Sequence, residues 1–106
     1  MELMVKDIIN NDLATTSESG QEIFAILDNN IVNGIHTNVY FSGLSTITTA
    51  FFNAAIGDLY AKWSSNELNN LVSIKVDSLT SLQKNKLQLV MKNAKNKLSD
   101  EELDRY

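Results

Sequence analysis

The sequence predicts a small α/β domain in which a mostly parallel sheet is flanked by helices. Three segments rich in β-branched residues alternate with three amphipathic segments along a chain of 106 residues. Parallel neighbours in a sheet need crossovers of about a dozen residues or more, and helices suit that role. A chain of this length builds one hydrophobic core, so we expect a single compact domain.

Composition excludes several classes of protein. The chain contains no cysteine, so disulfides, thiolate metal sites and cysteine nucleophiles are ruled out. The longest apolar runs are too short to span a bilayer, so we expect no membrane insertion. A net charge of −4 argues against general nucleic-acid binding, which needs lysine and arginine against phosphate. With no recognisable signal peptide, a cytoplasmic location is expected.

Charge is unevenly distributed along the chain. Residues 1–83 carry nine acids and three lysines, whereas residues 84–97 carry five lysines and no acid. Four acids and one arginine follow. We interpret the lysines as a solvated helix face, with a docking face for an acidic partner as the alternative. The expected organisation is a domain over residues 1–98 and an acidic C-terminal tail over residues 99–106.

The first half of the chain is predicted to form a strand, a loop and a helix. Residues 3–9 are rich in apolar and β-branched side chains, which favours a strand. Ser19 and Glu22 have the spacing of a capping box, in which each side chain satisfies a backbone amide. A helix is therefore expected over residues 21–32, ended by the Asn33-Gly34 pair.

The middle of the chain is predicted to form a second strand followed by a second helix. Residues 35–41 alternate apolar and polar side chains and predict a second strand. A helix is expected from about Thr49, with an apolar stripe that runs from Phe52 to Trp63. The sequence "KWSSNE" is expected to end that helix.

One more strand and one more helix are predicted beyond this point. Residues 71–76 alternate apolar and polar side chains and indicate the third strand. Ser78 or Thr80 can cap the last helix, which is expected to run through Leu98 with its apolar residues facing inward.

Motifs for catalysis or phosphate binding are absent from the sequence. The four glycines are scattered singly and form no phosphate-binding loop. The single histidine, His36, is interpreted as an ordinary strand residue, and the serines have no evident His/Asp companions. We therefore expect no enzyme, metal or cofactor. An enzyme assembled from distant aspartates and threonines is the weakest alternative.

The stretch "FSGLSTITTAFFNAAIGDLY", residues 41–60, is the most informative part of the chain. Four hydroxyl residues (Ser45, Thr46, Thr48 and Thr49) fall where a loop is predicted to become a helix. Hydroxyl side chains cap helices, so Thr48 and Thr49 are expected to act there. Core packing is the favoured interpretation for the aromatic residues, although an exposed Phe51 at the helix start would instead contribute to a surface.

This stretch resembles the STAS-like domains, relatives of the bacterial anti-sigma-factor antagonists. The resemblance is carried by Phe41, the turn Ser42-Gly43-Leu44, the cluster Ile47-Thr48-Thr49-Ala50, the pair Phe51-Phe52, and then Gly57 and Leu59. The upstream "DLATTSESGQEIFAIL" resembles the first loop and helix of that family. The similarity extends over roughly residues 3–98.

The resemblance implies regulatory protein–protein binding. Antagonists of this type dock on a GHKL-type ATPase or kinase, and a phosphorylated hydroxyl at the helix start switches binding off. In our alignment Ala50 occupies the position of the phosphorylated serine, so Thr48 and Thr49 become the candidate phosphoacceptors. The implied contact is the loop and helix start over residues 42–53, with candidate residues Ser42, Gly43, Ser45, Thr46, Thr48, Thr49, Phe51 and Asn53.

A second hypothesis belongs to a different class. An anion or nucleotide could bind the free amides of the same helix start, because a helix N-terminus carries a partial positive charge. The domain would then be a small-ligand sensor. For assembly we expect a monomer or weak dimer, since the sheet has edge strands and the helices are amphipathic.

Overall fold

A computed structural model of the chain describes the backbone of residues 1–103 and the side chains of residues 1–94. The predicted acidic tail, residues 99–106, has its side chains outside the described residues. No helix in the described part is long and apolar enough to cross a membrane. The elements are β1 (Glu2–Met4), α1 (Val5–Ile9), β2 (Leu13–Ala14), α2 (Ser17–Val32), β3 (Thr37–Tyr40), β4 (Thr46–Ile47), α3 (Thr49–Ala55), a 3₁₀ helix (Gly57–Ala61), α4 (Ser65–Leu71), β5 (Val72–Ile74), a second 3₁₀ helix (Val76–Ser78) and α5 (Ser81–Leu103).

The main sheet is parallel and has the order β1-β3-β5. Its register places Leu3 beside Val39 and Val39 beside Ile74. A second, two-stranded parallel sheet pairs β2 with β4, with Leu13 beside Thr46 and Ala14 beside Ile47. The predicted α/β class with parallel strands and crossover helices is confirmed.

One hydrophobic core lies between the main sheet and the helices. Leu3, Val39 and Phe41 from the sheet side join Phe51 and Phe52 of α3, and all five are almost fully buried. The Phe41 and Phe52 rings meet edge to face with centroids 5.6 Å apart, and Phe51 meets Phe52 at 6.3 Å. Both distances lie in the range that aromatic pairs favour.

The predicted strand over residues 3–9 is correct only at Leu3 and Met4 and is wrong from Val5 onward. The strand ends at Met4, and Val5–Ile9 form the helix α1, which Asn10 ends in the left-handed conformation at φ 54°. Val5 is buried and Ile9 is half-buried, which is the i, i+4 spacing of a helix. A short apolar run fits both the two-residue period of a strand and the 3.6-residue period of a helix. Periodicity alone therefore could not distinguish a strand from a helix here.

The region after Thr49 also differs from the prediction. The helix α3 stops at Ala55, and a 3₁₀ helix continues to Ala61. The sequence "KWSSNE" does more than end a helix, because Ser64 and Glu67 form a capping box that starts α4. Short helices of this kind depend on capping and packing more than on periodicity.

Two predicted caps have different outcomes. The capping box of Ser19 and Glu22 is wrong, because α2 begins earlier and Thr16 accepts the Ser19 amide at 3.1 Å. Thr80 does cap α5: its Oγ1 accepts the Gln83 amide at 3.2 Å, and the Gln83 side chain accepts the Thr80 amide at 2.9 Å.

Gly20 allows α2 to approach α3 closely. A Cβ atom at Gly20 would lie 2.7 Å from the Phe51 carbonyl oxygen and 2.7 Å from the Ala54 Cβ atom. Real Cβ atoms do not come this close to a backbone oxygen. The missing side chain therefore sets the distance between α2 and the helix that follows the hydroxyl-rich stretch.

We expect Gly20→Ala to lower the free energy of unfolding by about 1–3 kcal/mol, because the helices must separate to admit the methyl group. Replacing glycine with alanine at a helix position without this obstruction would instead raise the free energy of unfolding by up to about 1 kcal/mol. Urea denaturation followed by circular dichroism measures the difference. Gln21→Ala, at the exposed neighbouring position, is the control and should leave stability nearly unchanged. A Gly20→Ala protein as stable as wild type would contradict this packing.

A charged cluster ties α2 to the chain beyond the first 3₁₀ helix. Lys62 Nζ donates to one Asp28 oxygen at 2.9 Å, and Trp63 Nε1 donates to the other at 2.9 Å. The hydrogen bond from Lys62, and then that from Trp63, hold the pKa of the Asp28 carboxyl below its ordinary value of 3.8. Ionised Asp28 thus favours the folded state.

The stability that ionised Asp28 contributes should be present above pH 3.8 and lost as the pH falls further, through the lowered folded-state pKa. We expect Asp28→Asn to be less stable than wild type at pH 7 and to approach wild type as the pH falls below that value. Urea denaturation followed by Trp63 fluorescence at several pH values measures this. A stability difference that is independent of pH would contradict a role for the carboxylate charge.

Candidate interaction surface

The segment from residue 42 to residue 53 connects β3 to α3. It opens with a turn in which Gly43 has φ +82°, a conformation that side chains disfavour. The chain then runs parallel to β2, where the Ser45 amide donates to the Asp12 carbonyl at 2.8 Å and the Thr48 amide to the Ala14 carbonyl at 3.0 Å. These bonds fix the segment against the N-terminal part of the chain.

Buried and exposed residues alternate along this segment. Leu44, Ile47 and Phe51 point into the core, with 8%, 1% and 0% of their surface exposed. The exposed residues between and beside them form what we call the 42–53 surface: Ser42, Gly43, Ser45, Thr46, Thr49, Ala50 and Asn53. Ala50 is the one member that the sequence did not assign to a partner contact. Six of the eight predicted contact residues are thus exposed; Thr48 is half-buried and Phe51 is buried.

Thr48 is the N-cap of α3, as predicted. Its Oγ1 accepts a hydrogen bond from the Phe51 amide at 3.2 Å and donates one to the Thr15 carbonyl at 3.1 Å. The side chain is half-buried, whereas Thr49, the first residue of α3, is exposed. The two candidate phosphoacceptors are therefore in different environments: Thr49 is exposed and Thr48 is half-buried.

Phe51 does not belong to the 42–53 surface, which corrects its assignment as a contact residue. Its ring is fully buried and its carbonyl faces Gly20 of α2. The third residue of α3 lies on the side that packs against α2, so its ring enters the core. The preferred sequence interpretation, core packing, is confirmed for Phe51 and Phe52, while Trp63 is partly buried against that core.

Charged side chains border the 42–53 surface. The aliphatic part of Lys6 lies beside Gly43, within 3.1 Å of where a Cβ atom would be. The Ser45 hydroxyl donates to an Asp12 carboxylate oxygen at 3.2 Å, and Lys86 Nζ of α5 donates to the Ile47 carbonyl at 3.2 Å. These neighbours could not be recognised from the sequence, because each is more than thirty positions from its partner along the chain.

The α3 start offers limited room for an anion. This helix has seven residues, and Thr48 Oγ1 already accepts the Phe51 amide, one of the helix-start amides that could meet an anion. Within residues 1–94 there is no cluster of three acidic or histidine side chains that could hold a metal ion. His36 is exposed before β3 and lies 2.8 Å from the Ser73 hydroxyl through Nε2, a link between neighbouring strands.

Thr48→Ala should destabilise the domain by about 1 kcal/mol, because the Phe51 amide loses its acceptor. Thr48→Ser keeps the oxygen and should recover most of that loss. Thr49→Ala, which changes an exposed side chain one position later, should change stability by less than about 0.5 kcal/mol. Urea denaturation of the three variants measures this order. Equal losses for Thr48→Ala and Thr49→Ala would contradict the capping role.

Comparison with known proteins places the fold in a family. A family model described as a STAS-like domain of unknown function (DUF4325) matches residues 19–81, which is more than half of the chain. The matched region begins in α2 and includes the whole 42–53 surface, α4 and β5. Neither the curated proteins nor the solved structures yielded a match. The chain therefore belongs to this family of STAS-like domains.

Proposed function

We propose that this domain is a non-enzymatic, cytoplasmic interaction module that docks a partner protein through the 42–53 surface. The observation that supports this most is the anchoring of that surface. Buried Leu44 and Ile47 lie between its exposed members, and backbone hydrogen bonds to Asp12 and Ala14 hold it in place. These contacts hold the backbone of the surface in place in the free domain.

Such a surface suits binding for a physical reason. Association costs free energy for every flexible side chain or loop that becomes ordered, and a preformed surface avoids much of that cost. Serine, threonine, alanine and glycine have few rotamers to lose. Their small size also lets a partner approach the backbone closely. Hydrogen bonds to the hydroxyl groups and contacts with the neighbouring charged side chains Lys6, Asp12 and Lys86 would then determine which partner binds.

Charged side chains beside the 42–53 surface would form a polar rim around the contact. Lys6 and Asp12 lie at the turn end of the 42–53 surface, and Lys86 lies beside β4. Protein interfaces commonly combine a tightly packed centre with a polar, solvent-accessible rim. The partner class that we propose is a GHKL-type ATPase or kinase, on the strength of the resemblance to anti-sigma-factor antagonists.

Thr49 is the phosphoacceptor in this proposal, rather than Thr48. Phosphorylation of Thr48 would require its Oγ1 to leave both the Phe51 amide and the Thr15 carbonyl. Thr49 is exposed and lies next to Ala50, the position at which the related antagonists carry their serine. A phosphate on Thr49 adds about −1.5 to −2 charges in the middle of the surface and would repel or obstruct the partner.

A tagged-protein capture from native lysate, followed by mass spectrometry, tests the proposal. We expect wild type to recover an ATPase of the GHKL class and Thr49→Glu and Thr46→Glu to lose it. Asn70→Glu, an equal change of charge at an exposed position of α4, should retain it. With the purified partner, Thr49→Glu should weaken binding by about tenfold or more, since a charge buried unpaired at an interface is costly.

Two results would contradict the proposal. Equal recovery of the partner by wild type, Thr49→Glu and Thr46→Glu would place the contact elsewhere. Recovery lost equally with Asn70→Glu would show that net charge alone governs binding. Circular dichroism of each variant confirms that it is folded before either result is interpreted.

A further inference from the structure

A concave site lies away from the 42–53 surface. It is a cleft of about 390 Å³ between α5, the first 3₁₀ helix, α4 and the edge strand β5. No residue of the 42–53 surface lines it. Its volume falls in the range of small-molecule sites, which run from about 300 to 1,000 Å³.

The floor of the cleft is apolar and buried. Ile56, Leu59 and Leu87 line it with 2%, 1% and 4% of their surfaces exposed. Its walls include Val72 and Ile74 of β5, which remain half-exposed because this strand has no neighbour on its outer side. An apolar chain that entered the cleft would remove these walls from water, and that burial favours binding.

Polar side chains line the cleft from three elements: Lys84 and Gln88 from α5, Asn69 from α4 and Tyr60 from the first 3₁₀ helix. Lys84, Gln88 and Met91 of α5 line the cleft at i, i+4 and i+7, so they lie on one face of that helix. The face runs from a cation at Lys84 to a thioether at Met91 over about 10 Å, at 1.5 Å per residue. The cleft therefore has one charged end and one apolar end.

Lys84 gives the cleft its positive charge. It is half-buried and forms no salt bridge with any residue among those whose side chains are described. No aspartate or glutamate lines the cleft in this part of the chain. Lys75 and Asp77 flank Val76 at the mouth and have opposite charges. An anion near Lys84 would thus meet a net positive environment.

From this arrangement we propose that the cleft binds a small anionic amphiphile, with its head group at Lys84 and its alkyl chain along the apolar floor toward Met91. A medium-chain carboxylate has the matching chemistry. Decanoate is a carboxylate of this kind. The proposal is independent of partner docking, because the two sites share no residue.

Titration of ¹⁵N-labelled protein with decanoate, followed by NMR, tests the proposal. Decanol, which has the same chain and no charge, is the matched ligand, and both are kept below their aggregation limits. We expect saturable one-to-one binding of decanoate with a Kd on the order of 0.1–1 mM. The shifted amides should include Val72, Val76 and Leu87, and decanol should bind roughly threefold to fivefold more weakly.

Two lysine variants separate the proposed contact from a general effect of charge. Lys84→Gln should lower decanoate affinity to the level of decanol and leave decanol binding unchanged. Lys92→Gln removes the same charge from an exposed position of α5 that does not line the cleft. It should leave both affinities at their wild-type values.

The proposal would be overturned by any of four results: no saturable shifts with decanoate, shifts that map outside the cleft, equal affinity for decanoate and decanol, or equal effects of the two lysine variants. Resonances of Val72 and Val76 that change with protein concentration alone would place a second copy of the chain in the cleft. That result would also overturn it.

Discussion

The two-residue pairing of β2 with β4 is the constraint on which the rest of the site depends. It ties Ala14 to Ile47 in register and lets the Ala14 carbonyl accept the Thr48 amide at 3.0 Å. Thr48 is thereby placed to cap α3, and α3 is placed to pack against α2 at Gly20. Two residue pairs alone would hold the two strands together only weakly. Buried Ile47 and Ala14, with 1% and 0% of their surfaces exposed, provide the burial that stabilises it.

Much of the fold could be predicted from periodicity, because long amphipathic segments and alternating strands leave a clear pattern. The strands β3 and β5 and the helices α2 and α5 lie where the pattern predicts them, with ends that differ by a few residues. The short elements were less predictable. Residues 3–9 fit both the strand period and the helix period. The strands β2 and β4 have two residues each, which is too few for an alternating pattern to be recognised. Tertiary pairing creates these strands.

Only part of the candidate site could be predicted from the sequence. The hydroxyl cluster reveals a helix start because N-caps have strong residue preferences, and Thr48 fills that role. Sequence alone could not separate Thr48 from Thr49, because their difference lies in contacts with Thr15 and Phe51. For Phe51 the sequence favoured core packing, but only the close approach of α2 to α3 excludes the exposed alternative. Lys6, Asp12 and Lys86 reach the surface only through the topology.

Native-state hydrogen exchange of its backbone amides tests whether the 42–53 surface is preformed in the free domain. The amides of Ser45, Thr48 and Phe51 each donate to a defined acceptor in the free domain. Without any partner, we expect them to be protected to a degree comparable with the amides of α2, whose helical hydrogen bonds open only with larger unfolding. Exchange at the rate of an unstructured peptide would contradict the account, because the surface would then become ordered only upon binding.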